Sequence, residues 1–170
     1  METFSDNIIF VDTEFSDLNP YKGEILSIGL VKLSGEELYL ELEYGGEVSD
    51  WVKENITPTL TQPKVTREEA KKRIRDFVGG GKPYMVSYVN QYDTIYLYKL
   101  FAGEEHPFFW LPIDFASMLF AAGRDPESYS IEDKNNFFKE IGIDASKYHI
   151  HNALDDAKLL REVYLKTASK

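Results

Sequence analysis

Asp12 and Glu14 stand two residues apart at the end of Ile8-Ile9-Phe10-Val11-Asp12-Thr13-Glu14-Phe15, a segment otherwise almost wholly apolar. Apolar residues on both alternating sets predict a central strand covered on both faces, and alternation puts Ile8, Phe10, Asp12 and Glu14 on one side. The two carboxylates then sit at the strand's C-terminal end with Cα atoms roughly 6.5–7 Å apart. That separation suits acids sharing a pair of divalent ions about 3.5–4 Å apart. A third acid of interest is Asp156. It shares a helical stripe with Ala153, Leu160 and Val163, whereas Asp155, Lys158 and Glu162 fall on the polar side. A carboxylate among core residues must be paired, hydrogen-bonded or metal-bound, so a cationic partner is expected for Asp156. Asp93 follows the short apolar segment Tyr84–Val89 and opens a helical pattern carrying Tyr96, Leu97 and Leu100. Alone, it reads as a first-turn acid; alongside the other three it reads as a fourth ligand, because α/β sheets present active-site groups at strand ends and helix starts. Glu41 and Glu43 also alternate, but Leu38, Leu40 and Leu42 form their strand's apolar face, so both glutamates are expected to point at water.

These residues need elements to position them. The pattern predicts strands over 8–14, 25–33 and 37–43, a helix over 67–78, a strand over 84–89 and a helix over 93–102. A short strand over 110–114, helices over 114–122 and 130–141, and a final helix from Ala153 complete the set. Three sequential strands with short connections imply an antiparallel meander, and the later strand–helix alternation implies parallel additions. The expected class is α/β, a mixed central sheet flanked by helices.

With 170 residues and 43% hydrophobic content, the chain suits one domain spanning 1–170. Gly79-Gly80-Gly81 reads as a turn and not a linker. No cysteine, no signal-type apolar start and no bilayer-length run point to a cytoplasmic protein with no membrane partner. A net charge of −10 argues against a long nucleic-acid track. Arg67, Lys71, Lys72, Arg73, Arg75 and Lys82 form a local basic run, read as a solvated helix face.

Taken together, Asp12-x-Glu14, Tyr92-Asp93 and His151-x-Ala-x-x-Asp156 resemble the motif set of the 3′-to-5′ exonucleases of the DEDD superfamily, in the branch with a histidine in its last motif. Glu24-Ile25-Leu26-Ser27-Ile28-Gly29 is similar to that family's second strand. Asp12-Thr13-Glu14-Phe15 and Trp51-Val52-Lys53-Glu54-Asn55-Ile56 look most like the small bacterial RNase T-like 3′ exoribonucleases. Departures are Tyr88-Val89 where many relatives have His-Asn, Tyr92 where they have Phe, and Phe15-Ser16 where they have Thr-Gly. These touch substrate handling and leave the ligands in place.

The resemblance implies an RNase H-like exonuclease fold in which Asp12, Glu14, Asp93 and Asp156 hold two Mg²⁺ or Mn²⁺ ions. It implies release of nucleoside 5′-monophosphates from single-stranded RNA 3′ ends or short oligonucleotides. His151 is the expected general base, since imidazole titrates near working pH; His149 reads as a surface residue. Thr13, between the two acids, is placed with Phe15 and Tyr92 at the substrate. Phe15 either stacks on the terminal base or packs into the core, and Tyr92 has the same two readings. The resemblance further implies a homodimer in which one subunit feeds RNA to the other. DNA as substrate of the same chemistry, and an idle exonuclease fold serving as a binding module, are the alternatives.

Overall fold

A computed structural model describes residues 4–129 and 134–168. Strands β1 (Ile8–Phe15), β2 (Ile25–Lys32) and β3 (Glu37–Leu42) form the expected meander, each antiparallel to the next. β4 (Lys64–Val65), β5 (Tyr84–Ser87) and β6 (Ile113–Asp114) join in parallel, giving the sheet order β4-β3-β2-β1-β5-β6. The helices are α1 (Asp50–Asn55), α2 (Arg67–Val78), α3 (Gln91–Leu100), α4 (Phe115–Ala121), α5 (Lys134–Ile141) and α6 (Ala153–Ala168). The predicted helix over 130–141 is seen as α5; residues 130–133 lie outside the described residues. α1 and β4 are elements that periodicity did not signal.

β1 and β2 are buried on both faces, as a strand at the middle of a covered sheet must be. Ile9 and Val11 join Leu30, Leu42, Ile74 and Leu97 in a core under α2 and α3. Phe10 joins Val31, Phe115, Phe138, Leu160 and Val163 in a second core under α4, α5 and α6. A β-bulge between Glu14 and Phe15 leaves Leu26 without a partner in the ladder. The extra residue reverses the alternation, so Ile25 faces the first core while Leu26 packs on Val52 and Ile56. That contact lays α1 over the strand ends that carry Asp12 and Glu14.

The basic run on α2 is matched by acids of the same chain. Arg67 pairs with Glu24 at 3.1 Å, Lys71 and Arg75 share Glu104 at 2.6 and 2.5 Å, and Lys82 meets Glu105 at 2.6 Å. Among the described residues, no helix is long and apolar enough to cross a membrane.

Candidate active site

β1 delivers its residues alternately. Asp12 and Glu14 lie on the side of Phe10, toward α6, while Thr13 and Phe15 lie on the side of Ile9 and Val11, toward α3. On the α3 side, Thr13 donates its N–H and its hydroxyl to Asp93 Oδ1, at 2.9 and 2.7 Å. Thr13 is therefore bonded to a second acidic motif, the one that opens α3. Phe15 stacks on Tyr96 with ring centroids 4.6 Å apart and on Tyr92 at 5.6 Å, so one edge of it is core and the other faces the cleft.

Asp156 reaches the same strand end because the first turn of α6 rests directly on the backbone of β2 at Gly29. Gly29 lies opposite Asp12 in the β1–β2 ladder. A Cβ there would overlap the Ala153 carbonyl, so only glycine lets the helix's first turn rest on β2. Arg161 then fixes the helix laterally, donating through Nε and Nη2 to the Leu33 carbonyl at 2.9 and 2.8 Å. Asn152 caps the helix, accepting from the Asp155 N–H at 3.2 Å.

His151, just before that cap, holds a left-handed backbone with φ 62°. Its N–H donates to Asp156 Oδ2 at 2.9 Å, and its carbonyl accepts from Thr59 Oγ1 at 2.9 Å. Its ring lies edge-on to Trp51, centroids 5.1 Å apart, with Nδ1 4.0 Å from Glu14 Oε1. Asp156 is thus hydrogen-bonded by a backbone N–H, and an imidazole nitrogen lies within 4.8 Å of its carboxylate. His149 is exposed and donates its N–H to Asp155, away from Glu14.

Asp12, Glu14, Asp93, Asp156 and His151 all line one cleft of about 660 Å³. Ligand atoms of Glu14, His151 and Asp156 lie within 4.8 Å of one another, a donor set fit for a divalent ion. Crowding these groups has a cost. Burial, and then the charges of Asp156 and Asp93, push the Glu14 carboxyl from an ordinary 4.5 up to about 8. Burial pushes Asp93 up to about 7, although its hydrogen bonds from Thr13 act the other way. Buried and crowded carboxyl groups of this kind ionise more readily beside a cation.

Aromatic and apolar groups make the remaining wall: Phe15, Tyr92, Tyr88 and Trp51, with Leu18 and Val89 at the rim. Trp51 was read from the sequence only as part of the segment carrying the resemblance, and its place in the cleft was missed because α1 is too short for periodicity; Ser49, whose hydroxyl oxygen accepts from the Val52 N–H, was its one cap signal. Val89 holds φ 55°, costly for a β-branched residue, and the turn is pinned where the Asn90 N–H donates to Asp114 Oδ1 at 3.2 Å.

Glu41 corrects an expectation. It is 1% exposed, not solvated. Its Oε1 accepts from the Thr61 N–H at 2.7 Å, the Gln62 N–H at 2.9 Å and the Tyr39 hydroxyl at 3.1 Å. The loop after α1 folds back over β3 and covers the face that alternation assigned to water. Glu43 is exposed, as expected.

No protein-family model and no curated protein matches the sequence. Solved structures do match the fold. A zinc-bound complex of Escherichia coli exonuclease I with single-stranded DNA superposes with a TM-score of 0.72 at 13% identity, covering 96% of this chain and 40% of that one. Exonuclease I of Methylocaldum szegediense gives 0.69 at 16% identity, over 96% and 40%. E. coli exonuclease I with a dT13 oligonucleotide gives 0.65 at 13% identity, over 95% and 42%. The chain spans about two fifths of the length of these proteins. The mixed six-stranded sheet with helices on both faces is the RNase H-like exonuclease fold that those structures share.

Proposed function

We propose that this chain is a divalent-metal-dependent 3′-to-5′ exonuclease of the DEDD superfamily, histidine branch, acting on single-stranded 3′ ends. The observation that carries the reading is the convergence of Glu14, His151 and Asp156 within 4.8 Å, in a cleft that also takes Asp12 and Asp93. The donor set fits the implied metal: four carboxylates suit Mg²⁺ or Mn²⁺, and the elevated Glu14 and Asp93 carboxyls mark a place that lacks positive charge. When bound there, two such ions supply an acidified water and neutralise charge on the phosphoryl group.

The chain's own residues supply the rest. Asp12, Glu14 and Asp156 are held by β1 and by the first turn of α6, and Asp93 is oriented by both donors of Thr13. The His151 imidazole takes the proton of the attacking water. Phe15 and Tyr92 offer aromatic faces for the terminal base, which any base accepts. Thr13 then serves the substrate through Asp93.

RNA is the proposed polymer, released as nucleoside 5′-monophosphates, because Asp12-Thr13-Glu14-Phe15 and the Trp51–Ile56 segment resemble the RNase T-like branch. A homodimer belongs to that reading. DNA is the second reading, favoured by the deoxyribo-oligonucleotides dT13 and dA16 bound to exonuclease I structures of this fold. Cleavage of 5′-labelled RNA and DNA of equal sequence, with Mn²⁺, Mg²⁺ or EDTA, tests both. A metal-dependent ladder shortening from the 3′ end supports the exonuclease and identifies the sugar. His151→Ala is expected to slow it by roughly 10²–10⁴-fold while sparing metal binding. No shortening by folded protein, with no thermal stabilisation by Mn²⁺, overturns the function and leaves an idle binding module.

A further inference from the structure

His151 sits in a left-handed conformation with φ 62°, a region few non-glycine residues occupy, and its backbone is held there on both sides. Asp156 grips its N–H, and Thr59 grips its carbonyl from 92 residues away in sequence. Thr59 ends a 3-10 turn, Thr57–Thr59, and its single hydroxyl hydrogen is shared between the His151 and Ile56 carbonyls, each 2.9 Å away. Two and three residues on, the exposed Thr61 and Gln62 turn their N–H groups inward onto Glu41 Oε1. Glu41 is fixed by the sheet, lying opposite Ser27, which lies opposite Glu14. A buried carboxylate is retained only where its hydrogen bonds repay its desolvation, and two backbone donors from one exposed loop are an unusual commitment.

We propose that Glu41 and Thr59 are positioning residues for His151: the buried carboxylate anchors the 59–62 loop, and the anchored threonine hydroxyl fixes the backbone from which the imidazole is aimed at Glu14. The inference rests on the role given to His151 above. α1 belongs to the same unit, since Ile56 joins it to the turn and Trp51 bears on the ring. The sheet thereby controls the ring's aim from two strands away, through residues 59–62, which are not among those lining the cleft.

The test compares Thr59→Val, Thr59→Ser, Glu41→Gln and Glu41→Leu on a 5′-labelled single-stranded oligonucleotide, alone and in a His151→Ala background. Thr59→Val is expected to lower kcat about ten- to a hundredfold, with KM and Mn²⁺ affinity unchanged. Thr59→Ser restores the rate, and Glu41→Gln, which keeps an accepting oxygen, retains most of it. In His151→Ala protein, Thr59→Val changes nothing further, as two residues acting through one group require. Full activity in Thr59→Val, an equal loss in the His151→Ala background, or failure of Thr59→Ser overturns the inference. Because Glu41→Leu risks unfolding, the threonine pair decides.

A second readout does not need turnover: the imidazole ¹H–¹⁵N signal of His151, assigned by its absence in His151→Ala. It is expected to be single and sharp in the Mg²⁺-loaded wild type and in Thr59→Ser, and broadened or split in Thr59→Val. A wild type that shortens no oligonucleotide removes the proposed function, and the ring spectrum still decides whether Thr59 fixes His151.

Discussion

Asp93 shows how a single side chain can be tuned by its nearest neighbour. Its Oδ1 accepts both the N–H and the hydroxyl of Thr13, which orients the carboxylate at the cleft wall. Removing the hydroxyl in Thr13→Val leaves only the N–H, so Mn²⁺ affinity is expected to fall about tenfold by calorimetric titration, with Thr13→Ser near wild type. The elevated carboxyls set a pH dependence whose sign follows from proton counting. Between 4.5 and about 8 for Glu14, and between 3.8 and about 7 for Asp93, the folded protein holds protons that the unfolded chain has released. Their favourable contribution is complete below the unfolded values and is lost as pH rises through the folded ones. His106, its ring buried among Tyr98, Phe101 and Phe108 and pushed down to about 4, acts in the opposite direction, but only below about 6.5. In EDTA, the urea midpoint is therefore expected to fall from pH 6.5 to 8.5, and Glu14→Gln should flatten the fall. A midpoint that rises across this window contradicts the assignment. Mn²⁺ affinity should climb over the same range, because its ligands must first deprotonate.

At the scale of elements, the site depends on how closely α6 meets β2. Gly29→Ala would drive a methyl into the Ala153 carbonyl, so α6 must move off the sheet and take Asp156 with it. The expected result is a loss of about 1–3 kcal/mol in denaturant unfolding together with loss of Mn²⁺-induced stabilisation, which a purely local packing defect would preserve. The three meander strands, α2, β5, α3 and α6 were legible in the sequence within a few residues, because long apolar runs and helical stripes leave a strong period. Asp12 and Glu14 stood out for a related reason: they are acids in a strand with no wet face. α1 and β4 were not legible, since six residues and two residues are too few to show a period. Glu41 was misread because alternation reports which side chains share a face, and only the fold reveals that the 57–62 loop returns to cover it.

Across the whole molecule, a net charge of −10 coexists with a cleft proposed to take a polyanion. The positive groups of α2, and Lys82 just beyond it, are largely spent on Glu24, Glu104 and Glu105, so on the proposed function attraction would come from cations held in the cleft and from its stacking surfaces. Single-strand binding should accordingly depend only weakly on salt. In fluorescence anisotropy with Ca²⁺ as the metal, a log–log slope of about −1.4 to −2.1 is expected, matching two or three neutralised phosphates. A much steeper slope would require a basic track that the fold does not display.

The edge-on contact of Trp51 with His151 gives the chain a built-in optical probe of its own site. The second tryptophan, Trp110, is 70% exposed and is not among the cleft residues, so Trp110→Phe leaves an emission spectrum that belongs to Trp51 alone. Any metal or nucleotide that shifts the imidazole against the indole will alter that emission, so occupancy of the cleft can be followed in unlabelled protein, in real time, before a single bond is cut.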